Sequence, residues 1–350
     1  MKGWRNKTKY GLQCFFDVLA RSLGLNMLPR YLWFEVTDRC NSKCRYCNIW
    51  RKTKHRTPLT VGRLRGLFSS RLFRNIQYIL NSGGEPTVRK DLVELLLMEH
   101  EVFPNATIQL STNGLRKDKV LEAVNVLSSN GVVLSVGVSL DSLSESNDNL
   151  RGVPGAREKV IDLLESLQPL QEQGKVKVTV GITFTNKNEA DLENTIKYVR
   201  GLGFQPLLNW YNTSGFYDNF ESEVSCGKSI ELLKKYFPDS AYRDHWIKSL
   251  RTGDYRFNCW ALRSFFVLKC DGTASTCLSH YDWEFGNMAC NEPSYVWEDQ
   301  PSNVVRAKVA KCEGCCNNWG VGWSFQTEGY KRFKNYVRRK IFGSKDCIRS

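Results

Sequence analysis

Three thiols stand within eight residues of one another in Cys40-Asn41-Ser42-Lys43-Cys44-Arg45-Tyr46-Cys47, a C-x3-C-x2-C spacing on a mostly polar loop. That spacing can hold three corners of a cubic iron–sulfur cluster and leaves the fourth iron open to something other than protein. A structural zinc site wants a fourth Cys or His close by, and the next candidate, His55, comes only eight residues on, beyond a basic run. Three unliganded thiols on a polar loop would have no packing reason to be there. A second group follows near the end of the chain: Cys259, then Gly272 and Cys277, then Cys312-Glu313-Gly314-Cys315-Cys316, which reads C-x12-G-x4-C and C-x2-C-C. Four thiols converging from a hairpin and a C-x2-C loop could hold zinc or a second, fully ligated cluster, and spacing does not choose between them.

Elements must bring such loops together. The apolar pattern predicts strands at 31–37, 76–81, 106–111, 132–140, 176–184 and 204–210, with helices over 58–70, 89–101, 117–129, 156–170 and 188–201. Alternation of strand and helix implies parallel strands joined by right-handed crossovers. Six units are fewer than a closed eight-fold barrel needs, so the expected fold is α/β, a partial (β/α)6 TIM-like barrel. In such barrels the site lies at the C-terminal ends of the strands.

Each predicted strand does end in a polar or glycine-bearing motif. After the second comes Ser82-Gly83-Gly84-Glu85-Pro86-Thr87, after the third Ser111-Thr112-Asn113-Gly114, and after the fourth Val138-Ser139-Leu140-Asp141-Ser142 followed by Leu150-Arg151-Gly152. The fifth and sixth end in Gly181-Ile182-Thr183-Phe184 and Leu208-Asn209-Trp210. Singly these are ordinary turn chemistry. Together, and in this order, they set a turn-only reading aside.

The ensemble resembles the radical S-adenosylmethionine (radical SAM) superfamily over residues 31 to about 210. That resemblance implies a 4Fe-4S cluster on Cys40, Cys44 and Cys47, with Tyr46 as the aromatic before the last ligand. It also implies S-adenosylmethionine (SAM) chelated to the open iron and cleaved by one electron to a 5′-deoxyadenosyl radical that abstracts hydrogen. The SAM pocket implied is Gly83, Gly84, Glu85 and Pro86 near the amino group, Thr112 and Asn113 along the wall, and Ser139 and Asp141 at the ribose and methionyl portions. Arg151 would meet the carboxylate, and Ile182 the adenine.

The C-terminal cysteines are similar to the SPASM or shorter twitch extension of that superfamily, which implies an auxiliary 4Fe-4S cluster on Cys259, Cys277, Cys312 and Cys315. Cys316 could replace Cys315. Cys270 and Cys290 read as packing thiols, Cys226 as a structural one, and Val267-Leu268-Lys269-Cys270 with Asp271-Gly272 as a hairpin strand and tight turn. The expected division is a basic N-terminal helical extension at 1–29, a barrel at 30–212, a connecting region at 213–258, a small Cys-rich domain at 259–320 and a basic C-terminal helix at 321–350. The connecting region carries one helical pattern near 229–236. No side chain is singled out as a catalytic base; His280, Asp282 and Glu284 follow Cys277 but read equally as surface residues.

Charge and length narrow the function classes. The chain of 350 residues carries a net charge of +14, concentrated at 1–30 (+5), 43–74 (+10) and 328–350 (+6). Such patches suit a phosphorylated or nucleotide-linked substrate, or solubility alone, and the aromatic-bearing basic termini suit either packing or peripheral membrane contact. No stretch approaches the roughly 18 apolar residues that span a bilayer, and no signal-peptide core opens the chain, so a cytoplasmic protein is expected. About thirty residues precede the first strand, fewer than a peptide-leader-binding domain needs. The expected activity is therefore oxidation of a small or carrier-linked molecule (sugar, aminocyclitol or nucleotide) through the auxiliary cluster, with a flavodoxin- or ferredoxin-type reductant. The alternatives are a peptide- or protein-modifying maturase and a zinc-ribbon-like nucleic-acid-binding protein; the latter leaves the six strand-end motifs unexplained, and no nucleic-acid partner is expected.

Overall fold

A computed structural model describes residues 27–210, 216–217, 227–315 and 317–327. The expected terminal helices at 1–29 and 321–350, Cys226 and Cys316 fall wholly or largely outside these residues. Six parallel strands form the barrel: β1 (Tyr31–Thr37), β2 (Tyr78–Gly83), β3 (Thr107–Thr112), β4 (Leu134–Ser139), β5 (Val176–Phe184) and β6 (Gln205–Trp210). They pair in sequence order. Between them run α1 (Val61–Phe68), α2 (Leu92–Val102), α3 (Lys117–Ser129), α4 (Ser146–Arg151), α5 (Ala156–Glu172) and α6 (Leu192–Gly201). The sheet does not close on itself, which makes this the partial TIM-like barrel that the alternation implied.

Side-chain alternation in the strands sets two faces. In β1, Leu32, Phe34 and Val36 pack outward with Leu64 and Phe68 of α1, while Tyr31 and Trp33 face an interior aromatic cluster. Helix starts are set by local chemistry: Thr60 accepts from the Arg63 amide at the head of α1, as an N-cap hydroxyl should.

The cysteine-rich tail is built onto the same sheet. β7 (Phe265–Leu268) pairs parallel with β1, so that Trp33 lies opposite Val267. β8 (Thr273–Ser275) and β9 (Glu284–Asn287) follow antiparallel. The result is one nine-stranded sheet in the order β6-β5-β4-β3-β2-β1-β7-β8-β9. The expected hairpin is present, its strand two residues earlier than the pattern implied, with Gly272 at φ +89 in the turn.

Residues 227–252 hold two helices where one was expected, α7 (Gly227–Tyr236) and α8 (Ala241–Thr252). Three more, α9 (Pro293–Glu298), α10 (Gln300–Ala310) and α11 (Asn318–Thr327), surround the tail. Among the described residues no helix is long and apolar enough to cross a membrane.

Candidate active site

The loop bearing Cys40, Cys44 and Cys47 is clamped from two sides. On one side stand the paired glycines after β2. A Cβ on Gly83 would lie 2.2 Å from the Thr37 carbonyl, and one on Gly84 would lie 2.0 Å from that of Arg39. The Gly84 and Glu85 amides donate to these same two carbonyls at 2.7 and 2.8 Å. Only a residue without a side chain admits so close an approach. The glycines therefore serve the cysteine loop itself, which is a tighter constraint than the approach to a ligand that the motif suggested.

On the other side stands the segment after α4. Ser42 Oγ donates to the Arg151 carbonyl at 2.8 Å, the Lys43 and Arg45 amides reach Arg151 and Leu150, and a Cβ on Gly152 would lie 2.2 Å from the Lys43 carbonyl. Burial pushes the Cys40 and Cys47 thiols up to about 12. For Cys47 the neighbouring Cys44 and Cys40 add to that rise, so the three thiols form one electrostatic group. Cys40 and Cys47, which resist ionising alone, stand with Cys44 in an arrangement that fits a cationic metal group, which would supply the missing positive charge. His55 is not part of this set; its Nδ1 sits 3.1 Å from Asp38 Oδ1.

Two buried carboxylates organise the surrounding wall. Glu85 Oε1 accepts from the Thr87 amide, the Thr87 hydroxyl and the Thr112 hydroxyl, while Oε2 accepts from the Asn113 amide. It thereby fixes two strand-end loops to each other; burial raises its pKa and these donors oppose the rise. Asp141 faces Arg151 through Nε at 2.8 Å and Nη2 at 2.9 Å. It also takes the Tyr46 hydroxyl at 2.7 Å and the Thr183 amide at 2.7 Å.

One cavity is lined by Cys40, Cys44, Cys47, Tyr46, Gly83, Gly84, Glu85, Thr112, Asn113, Ser139 and Arg151. Of the residues expected around SAM, Pro86, Asp141 and Ile182 lie outside this lining. Ile182 points into the core packed under α5 and α6, and its neighbour Thr183 lines the cavity instead. The cavity continues past the expected residues to Trp33, Trp210, Phe216, Leu278, Asn318 and Trp319. Only Trp210 and its neighbour Asn209 had been singled out from sequence. A signal for Trp33 was available, since it shares the inward face of β1 with Glu35 and Thr37. Asn318 Nδ2 donates to the Leu208 carbonyl at 2.6 Å and to Asn209 Oδ1 at 2.9 Å, fastening α11 to the end of β6.

Beside this cavity the tail cysteines converge. Burial pushes the Cys277 thiol well up, with Cys315 and Cys259 adding to the rise; Cys315 is raised by burial and by Cys312. The four expected ligands come from the start of the tail, the loop after β8 and the loop before α11, and among the described residues they do not close on a single metal-ion position. Cys270 is fully buried as a packing thiol should be. Cys290 is exposed, which corrects the packing role expected for it. Four thiols with no acidic member suit zinc or a cubic cluster equally.

Comparison with known proteins places this geometry. Residues 34–199 match the model of the Radical SAM superfamily. An Fe-coproporphyrin III synthase of Methanosarcina barkeri is 36% identical over 165 residues, covering 47% of this chain and 39% of that protein. A GTP 3′,8-cyclase of Pasteurella multocida is 26% identical over 262 residues, covering 72% of this chain and 67% of that one. The chain therefore spans well under half the length of the first relative and about two thirds of the second. Among solved structures, Streptococcus suis SuiB bound to S-adenosylmethionine aligns with a TM-score of 0.63 at 17% identity, over 81% of this chain and 69% of that one, a likeness of fold.

Proposed function

This chain carries a radical SAM domain over residues 34–199, and on that premise we propose that it oxidises a small or carrier-linked, uncharged polar molecule of sugar or cyclitol type. One observation carries the reading: the three-thiol loop and the wall built by Gly83, Gly84, Thr112, Asn113, Ser139 and Arg151 border one cavity that also reaches the tail. Cys40, Cys44 and Cys47 would hold the cluster, and Cys259, Cys277, Cys312 and Cys315 a second one. When bound, the first cluster, charged by an external one-electron reductant, would supply the electron that splits SAM into methionine and an adenosyl fragment able to take a hydrogen atom from substrate, and a second cluster would take up the electron left on the substrate as its hydroxyl proton passes to water.

The chain's own part is positioning. Arg151, locked on Asp141, holds the loop backbone between α4 and the paired glycines. Glu85 ties the loops after β2 and β3 into one wall facing the SAM position. Beyond it the lining is aromatic and amide: Trp33, Phe216 and Trp319 offer ring faces, and Asn209 and Asn318 offer polar edges. Glu85 and Arg151, the acidic and basic side chains of this lining, are both spent on partners. A wall of this kind favours a ring with hydroxyl or amide groups and an apolar face over a phosphate. The basic stretch at 43–74 then suits a carrier or a reductant better than the reacting group.

The test is anaerobic incubation of the reconstituted protein with SAM and a reductant. The expected result is release of 5′-deoxyadenosine that rises with an uncharged cyclitol or sugar substrate and vanishes in Cys40→Ala. Equal release from Cys40→Ala would overturn the activity, and a KM that rises steeply with salt would overturn the uncharged class of substrate.

A further inference from the structure

A sulfur that ligates a cluster is tuned by the N–H groups that point at it. At five of the thiols in this chain the backbone amide two residues further on supplies them. Ser42 N reaches Cys40 Sγ at 3.4 Å, Ile49 N reaches Cys47, Ala261 N reaches Cys259 Sγ at 3.5 Å, Ser279 N reaches Cys277 and Asn317 N reaches Cys315. Cys44 instead meets the Ser42 hydroxyl, 3.2 Å from its Sγ. Close to Cys312 stands Gly314, held at φ +103 against the Tyr255 carbonyl, 2.2 Å from where a Cβ would be.

The nitrogen that stands at Cys312 belongs to a side chain. His280 Nε2 lies 3.5 Å from Cys312 Sγ. The ring is not there by chance of rotation: it stacks flat on Trp283 with centroids 3.7 Å apart and planes 11° apart. Its backbone is fixed as well, because the Trp283 amide donates to the His280 carbonyl at 3.1 Å and the His280 amide itself donates to Cys277. One residue therefore touches two of the four thiols, through its main chain and through its ring.

We propose that His280 is a positioning residue of the tail centre, donating Nε2–H to the Cys312 thiolate and raising the centre's reduction potential. The inference rests on the reading that Cys259, Cys277, Cys312 and Cys315 hold an iron–sulfur cluster. A hydrogen bond to a ligating sulfur stabilises the more electron-rich, reduced state, which is what an electron acceptor beside the cavity requires.

The experiment uses the full chain carrying Cys40→Ala, Cys44→Ala and Cys47→Ala, reconstituted anaerobically, so that any iron belongs to the tail centre. Iron per chain is measured, and the midpoint potential is followed by electron paramagnetic resonance. With His280→Ala the expected result is unchanged iron and a potential lower by at least the equivalent of a tenfold change in the reduced-to-oxidised ratio, about 59 mV for one electron. His280→Gln, which keeps an N–H of similar reach, should recover part of that shift. Unchanged iron with an unchanged potential in His280→Ala overturns the proposal. Loss of iron in both variants while circular dichroism stays native also overturns it, since His280 would then be a ligand or a structural prop. Absence of iron in the parent protein fails the cluster reading itself, and the two failures are told apart by the iron count.

Discussion

Arg151 meets Asp141 edge-on, Nε at 2.8 Å and Nη2 at 2.9 Å, inside a pocket where the carboxylate is fully buried. The pair joins two strand-end motifs that are ten residues apart and fixes the carbonyl to which Ser42 of the cysteine loop is bonded. Breaking a buried pair by neutralising one partner strands the other charge and costs about 3–5 kcal/mol. Asp141→Asn is expected to lower stability by that order in urea unfolding and to reduce iron retained at the three-cysteine loop. Tyr46→Phe, which removes one neutral donor from the same carboxylate, should cost about 1 kcal/mol.

Gly84→Ala is expected to displace the start of the cysteine loop, because the added carbon would sit 2.0 Å from the Arg39 carbonyl. Iron per chain should fall by about four, one cubic cluster. Gly66→Ala in α1 is the control: nothing lies within 4 Å of its added carbon, so it should stabilise the helix by about 0.5–1 kcal/mol. Equal iron in the two variants would contradict the clamp.

Tyr281 donates to Glu35 Oε2 at 2.5 Å, and Glu35 Oε1 is buried with no partner among the described residues. Burial raises the Glu35 pKa, and this hydrogen bond opposes the rise. Tyr281→Phe should therefore cost about 1–3 kcal/mol. It pushes the folded-state pKa further up, so the cost should be larger at pH 8 than at pH 5. A pH-independent difference in unfolding free energy would refute this account.

Glu99 of α2 is buried, with Asn81 Nδ2 on Oε2 at 2.8 Å, and burial pushes its pKa up to about 8. An unfolded glutamate titrates near about 4.3. Between those values the folded chain keeps a proton that the unfolded chain has released, so stability falls as pH rises through that window and the loss is complete above about 8. Glu99→Gln should remove that slope. At pH 9 the variant should be more stable than the parent by on the order of a few kcal/mol, with the gap closing toward pH 5 in denaturant titrations.

The sequence alone placed the barrel to within a few residues, because each strand is an apolar run closed by a polar motif and each crossover helix has its own period. It also named part of the cavity's lining, Cys40, Gly83, Asn113 and Ser139 among it, since parallel strands deliver their C-terminal ends to one rim. What local pattern determined was which residues would share that rim. Their partners were decided by tertiary structure: the Gly83–Gly84 pair is required by Thr37 and Arg39, and Arg151 by Asp141, contacts whose energy comes from backbone and charges brought together only by folding. The tail shows the same division. Its cysteine spacing was readable, but not that β7 would extend the sheet along β1, because strand pairing across more than two hundred residues leaves no local periodicity. Nor could His280 be told from a surface histidine until the stack on Trp283 aimed its ring at Cys312.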